Sequence, residues 1–94
     1  MEIVEVQPTK LNFKVPNQQV QTFAITNLTL RSVCVYVLSA EPRFISIDPG
    51  SLVLEPFQEH EVRVVIHWNQ QLISGHKSKI RIYIWEMYDE WPIE

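Results

Sequence analysis

The side chains in this 94-residue chain that could hold a transition metal are three histidines, His60, His67 and His76, and a single cysteine, Cys34. A zinc site needs three or four such ligands in a tetrahedral array. No pair among them has metal-ligand spacing, and Cys34 sits in the apolar run Val33-Cys34-Val35, where a buried thiol is inert. We therefore expect no metal and a structural cysteine. Nucleophilic or acid–base chemistry fares no better. Ser46 and Asp48 flank the turn Asp48-Pro49-Gly50-Ser51, and turn chemistry accounts for both. No motif with a catalytic mechanism is present, so the expectation is a protein that is not an enzyme, with no catalytic residue and no cofactor.

A different chemistry is better represented. Lys79, Arg81, Tyr83 and Trp85 recur at alternate positions, and Ile80, Ile82 and Ile84 fill the places between them. In a strand, alternate residues share a face. The isoleucines would then enter a core, leaving two aromatics and two cations on one outer surface. Arginine, tyrosine and tryptophan are the residue types enriched at protein interfaces. The run VCVYVL is the expected neighbour of this strand, and Tyr36 or Leu38 would extend the patch. The candidate protein-binding residues are Tyr36, Lys79, Arg81, Tyr83 and Trp85.

The elements that must carry these residues are strands. No helix-length stretch shows apolar residues at i, i+3, i+4 and i+7, and alternation of β-branched residues dominates instead. Expected strands are Ile3-Val4-Glu5-Val6, Leu11-Asn12-Phe13-Lys14-Val15, QVQTFAIT, SVCVYVLSA, Phe44 to Ile47, Leu52 to Leu54, HEVRVVIHW and KIRIYIW. SVCVYVLSA is apolar at nearly every position and reads as a central strand packed on both sides. HEVRVVIHW places Val62, Val64, Ile66 and Trp68 on one face. The expected core is Phe13, Phe23 or Ile25, Val35, Val37, Val62, Val64, Ile66, Ile80, Ile82 and Ile84.

About seven short strands, with turn signals every 8 to 12 residues or so, describe an all-β sandwich. Two turn signals close together in FISIDPGSLVLEP suit a chain that crosses from one sheet to the other and runs back. Proline marks where ladder pairing stops, and Gly50 is the residue expected to supply a positive φ.

Composition and charge bound the function. A chain with 46% hydrophobic and 20% charged residues is globular. Residues 1–94 read as one domain, either whole or a module of a longer protein. A net charge of −3 offers no footprint for nucleic acid. No segment approaches the roughly 18 apolar residues of a membrane span, so no direct membrane insertion is expected. MEIVEVQP does not read as a signal peptide, and one cysteine allows no internal disulfide. Both point to the cytoplasm. From Trp85 on, the acidic, aromatic segment WEMYDEWPIE has too few residues for a further full strand, so either the strand continues in a longer protein or a sheet edge is left open to a partner.

The stretch VEVQPTKLNFKVP resembles the opening of major sperm protein (MSP) domains, and FAITNLTLRSVCVYVLSAEPRFISIDPGSLVLEPFQEHEVRVVI continues the likeness. The matched positions are Pro8, Leu11, Phe13, Asn27, Val33, Cys34, Val35, Val37, Pro42, Phe44, Pro49 and Ser51, and the match covers most of residues 4 to 68. The related ASH (PapD-like) domains of centrosomal and ciliary proteins share the sandwich and the proline turn. The resemblance implies an immunoglobulin-like β-sandwich of about seven antiparallel strands. It also implies a non-enzymatic, protein-binding role in a cytoskeletal, centrosomal, ciliary or sperm assembly. Partners would dock on a sheet face or an edge strand, and homo-oligomers are one form such an assembly takes. The VAP branch of the family recruits acidic FFAT-type peptides to membrane contacts through a basic strand face, which is the alternative function. Here Tyr36 and Leu38 stand where that branch has lysines, and Glu41 adds a negative charge. A periplasmic pilus-type chaperone would call for a signal peptide and a second paired domain, and neither is evident.

Overall fold

The computed structural model describes residues 3–14, 19–67 and 75–86. They form seven strands: β1 (Val4–Gln7), β2 (Val20–Asn27), β3 (Val33–Ser39), β4 (Ile45–Asp48), β5 (Ser51–Leu54), β6 (Glu59–Ile66) and β7 (Ile80–Glu86). All pairings are antiparallel. One sheet has four strands in the order β1-β2-β6-β4, and the other has three in the order β5-β3-β7. The chain is thus an all-β sandwich of immunoglobulin-like type, as the alternation predicts.

Strand parity sets the core. Phe23 and Ile25 of β2, Ile45 of β4, and Val62 and Val64 of β6 face Val33, Val35 and Val37 of β3 and Leu54 of β5, and all nine are buried. Fully burying one such side chain contributes roughly 1.5–3 kcal/mol relative to exposure. The crossing turns also fall where the sequence places them. β4 lies in the four-stranded sheet and β5 in the three-stranded one, so Pro49 and Gly50 carry the chain between layers. The Val37 amide donates to the Gly50 carbonyl at 2.9 Å, which seats the crossing on β3. Pro56 and Phe57 then return the chain to β6.

Several details differ from the sequence reading. Residues 11–14 are not a strand. They have no ladder partner among the described residues, although Leu11 and Phe13 still pack against the core. β3 is central in its sheet but covered on one side only, because Tyr36 and Leu38 are exposed. Its outer residues are apolar for a reason other than burial. Gly50 does not take a positive φ, whereas Phe57 does, at 60°. The peptide bonds Gln7-Pro8 and Asp48-Pro49 are cis. Phe13, Ile66, Ile80, Ile82 and Ile84 belong to the half-buried shell around the core, since β7 and residues 11–14 border an open side of the sandwich. Trp68 and residues 87–94, including the expected terminal turn and edge, lie outside the described residues.

Among the described residues, one polar side chain is fully buried. Asn27, at the end of β2, donates through Nδ2 to the carbonyls of Arg31 (2.7 Å), Leu54 (3.1 Å) and Glu55 (3.0 Å). Its Oδ1 accepts from the Thr29 amide at 2.9 Å and the Thr29 hydroxyl at 2.8 Å. A buried amide costs little only when it is satisfied in this way. The network closes the β2–β3 turn and fastens it to the end of β5, so the three-stranded sheet is held in a fixed position over the other.

Candidate protein-interaction face

The register of the three-stranded sheet determines what its outer surface presents. Tyr36 pairs with Tyr83 and Ser51, Cys34 pairs with Trp85 and Val53, and Leu38 pairs with Arg81. Directly paired residues point to the same side of a sheet. Three rows therefore cross the outer face: Val53–Cys34–Trp85, Ser51–Tyr36–Tyr83 and Leu38–Arg81. The inner face carries Val33, Val35 and Val37 with Ile80, Ile82 and Ile84.

The large apolar members of these rows are open to solvent. Tyr36 is 46% exposed, Leu38 53%, Val53 48%, Tyr83 42% and Trp85 55%. The rings support one another. Tyr36 meets Trp85 edge-on with centroids 5.1 Å apart, and Tyr83 stacks near Trp85 at 6.4 Å with 25° between planes. Aromatic pairs of this kind are worth roughly 0.5–1.5 kcal/mol beyond their buried area, so the rings are pre-ordered on the strand surface. Lys79, immediately before β7, is exposed, and its carbonyl accepts from the Ala40 amide at 3.0 Å. Tyr36, Arg81, Tyr83 and Trp85 are thus brought together on one face, with Lys79 at its end.

The outer face of the other sheet shows that this surface is not the default for the molecule. Its rows are Glu5–Thr26–Glu59, Gln7–Ala24–Glu61, Asp48–Arg63–Thr22 and Ser46–Val65–Val20. They contain no aromatic residue, and their large aliphatic side chains, Val20 and Val65, are confined to the last of these rows. A solvated sheet face in this protein is polar and acidic, whereas the β5-β3-β7 face is aromatic with cations at one end.

Sequence reasoning missed Val53 and misplaced Cys34. Cys34 is half-buried on the outer face between Val53 and Trp85, not in the core. Its parity was the available signal, because Cys34 alternates with Val33 and Val35 and so must share the side of Tyr36.

The histidines serve local contacts. His67 Nε2 lies 2.8 Å from the Ser46 hydroxyl, and His60 Nδ1 lies 2.7 Å from the Glu61 carbonyl. His76 Nε2 lies 2.7 Å from Glu41 Oε1. Hydrogen bonds from Ser78 and His76 hold the Glu41 carboxyl below the usual carboxylate range. Among the described residues, no three His, Cys, Asp or Glu side chains are grouped to hold a metal ion, and no helix is long and apolar enough to cross a membrane.

The arrangement of the two sheets has counterparts among solved structures. The CupB2 chaperone of Pseudomonas aeruginosa superposes with a TM-score of 0.69 at 17% identity, covering 88% of this chain and 49% of that one. The periplasmic chaperone SfaE superposes with a TM-score of 0.66 at 18% identity, over 86% of this chain and 46% of that one. The fold is an immunoglobulin-like β-sandwich of the kind these chaperones contain. The third comparison is the CsuC–CsuE pre-assembly complex of chaperone and tip adhesion subunit from Acinetobacter baumannii Csu pili. It gives a TM-score of 0.63 at 12% identity, covering 89% of this chain and 51% of that chain. The chain spans about half the length of these structures. No family sequence model and no curated protein sequence matches it. The likeness is therefore one of fold.

Proposed function

We propose that this PapD-like domain is a non-enzymatic protein-interaction module that docks a partner protein on the outer face of the β5-β3-β7 sheet. The observation that carries this reading is the exposed aromatic ladder of Tyr36, Tyr83 and Trp85, flanked by Leu38, Val53 and Arg81. Aromatic and arginine anchors at the centre of a patch are where interfaces concentrate their binding energy. The solved neighbours support a binding role by analogy, since one is a chaperone in complex with a pilus tip subunit. The finer assignment follows the resemblance: an MSP/ASH-type module in a cytoplasmic assembly of cytoskeletal, centrosomal, ciliary or sperm type. Self-association through the same face is compatible with it.

The VAP-like alternative, reading acidic peptides on this face, meets a specific obstacle. Tyr36 and Leu38 occupy the outward positions where lysines would be needed, and both are exposed. Lys79 and Arg81 remain as the cations of the face. The test is to capture the binding protein with the 94-residue chain, identify it, and measure its affinity for Tyr83→Ala and Trp85→Ala. Affinity lost in these variants, and retained in Ala24→Ser on the opposite sheet, supports the assignment. Equal affinity in all three rejects it.

A further inference from the structure

The sandwich is open on one side. Between residues 6–14 and β7 runs a cleft of about 1030 Å³ that reaches in to the core. Its floor is apolar, formed by Phe13, Phe44, Ile66, Ile80 and Ile82. All five are half-buried, and Phe13, Ile66, Ile80 and Ile82 are residues the sequence places in the core. Its rim is cationic: Lys10, Lys14, Lys77, Lys79 and Arg81 all contribute to the lining, and among the described residues no aspartate or glutamate does. Five of the chain's eight lysines and arginines thus line one cleft in a protein of net charge −3. His76 also lines it, engaged by Glu41, which does not.

We infer that this cleft is a second binding site, taking an extended acidic segment of a partner protein with apolar side chains at alternate positions. Two features select that occupant. First, β7 pairs with β3 alone among the described residues, and its first residues, Ile80, Arg81 and Ile82, border the cleft. A strand edge recognises an extended chain through main-chain hydrogen bonds. Second, an extended chain alternates its side chains, so one set can enter the apolar floor while the other meets the rim. A ring of cations without a carboxylate favours acids at those outward positions and repels lysines. The cleft shares Lys79 and Arg81 with the end of the aromatic outer face, and Lys10, Lys14 and Lys77 belong to the cleft alone.

The test uses the whole 94-residue chain and a short, end-capped peptide alternating glutamate with valine and phenylalanine. Its controls are the same peptide with lysine for glutamate and a peptide of identical composition with the alternation scrambled. Amide resonances report the location. The glutamate peptide is expected to shift Leu11, Phe13 and Ile80 to Ile82, with affinity falling at least about ten-fold in high salt as rim attraction is screened. The Lys10→Glu, Lys14→Glu, Lys77→Glu variant leaves the floor and the outer face intact. It should lose at least about ten-fold in affinity for the glutamate peptide and gain affinity for the lysine peptide. Binding that ignores the charge reversal, or shifts confined to Tyr36 and Tyr83, would overturn the inference. So would cleft contacts from residues 87–94 in the free protein, or concentration-dependent shifts there without peptide. Those outcomes would assign the cleft to the protein's own chain or to a second copy.

Discussion

Asn27 donates a hydrogen bond to the carbonyl of Leu54 at 3.1 Å, joining the end of β2 in one sheet to the end of β5 in the other. Both residues are fully buried. The same amide nitrogen also reaches the Arg31 and Glu55 carbonyls, so its two hydrogens are shared among three acceptors at the point where the layers meet. This fixes the sheet that carries the aromatic face.

Asn27→Ala should therefore cost at least about 2 kcal/mol, because a buried carbonyl left without its donor costs roughly 1–3 kcal/mol. Asn27→Asp should be worse at neutral pH, since a carboxylate would face three acceptors. Its stability should recover as the solution is acidified, when a protonated acid can donate once more. Urea unfolding at two pH values checks both statements.

The two shells of the interior should respond differently to truncation. Leu54→Ala removes a fully buried side chain and should cost about 2–5 kcal/mol. Ile82 is half-buried beside the open cleft, so Ile82→Ala should cost less, about 1–2 kcal/mol. Equal losses in denaturant would show that the cleft is closed in solution.

The turn between β5 and β6 contains a locally strained residue. Phe57 is exposed and holds φ at 60°, a region that costs an L-residue roughly 1–2 kcal/mol. Glycine relieves that cost and gives back roughly 0.5–1 kcal/mol in chain entropy. Phe57→Gly should accordingly stabilise the domain by about 0.5–1 kcal/mol, read as a higher midpoint of urea unfolding. A lower midpoint would show that the phenyl ring makes contacts that outweigh the backbone.

Acid should release the segment before β7. The Glu41 carboxyl is held below its usual range by Ser78 and His76. A depressed carboxylate contributes its stabilisation above the unfolded-state pKa and loses it as pH falls through the folded value. The amide signals of Gly75 and Ser78 should therefore move on acidification below the ordinary carboxylate range. The same signals in Glu41→Gln should show no such transition.

Much of this architecture is legible in the sequence because a half-buried strand writes its faces into alternate residues. Ile80, Ile82 and Ile84 against Arg81, Tyr83 and Trp85 give β7 both its inner and outer sides, and the pairing of β7 with β3 follows. Alternation is silent where both parities are apolar. That is why VCVYVLS reads as doubly packed although Tyr36 and Leu38 are solvent-exposed, and why Cys34 reads as core. Pairing partners are also invisible locally. Leu11-Asn12-Phe13 has strand periodicity but no strand to pair with among the described residues, so it packs without joining a ladder. The fivefold cationic rim joins residues 10 and 14 to residues 77–81, a juxtaposition that only the fold creates.

The central claim is that the outer face of β5-β3-β7 carries the binding of a partner protein. The direct measurement is the affinity of the captured partner, or of self-association, for Tyr83→Ala and for Trp85→Ala, each first shown to retain the parent's far-ultraviolet spectrum and unfolding midpoint. Surface truncations of this kind change folding stability by only about 0.5 kcal/mol, whereas an anchor at an interface loses about 2 kcal/mol or more, near thirty-fold in affinity. The account predicts the larger loss for both variants and none for Ala24→Ser on the acidic face. Parent-like affinity in both face variants would contradict it and move attention to the cleft beside β7.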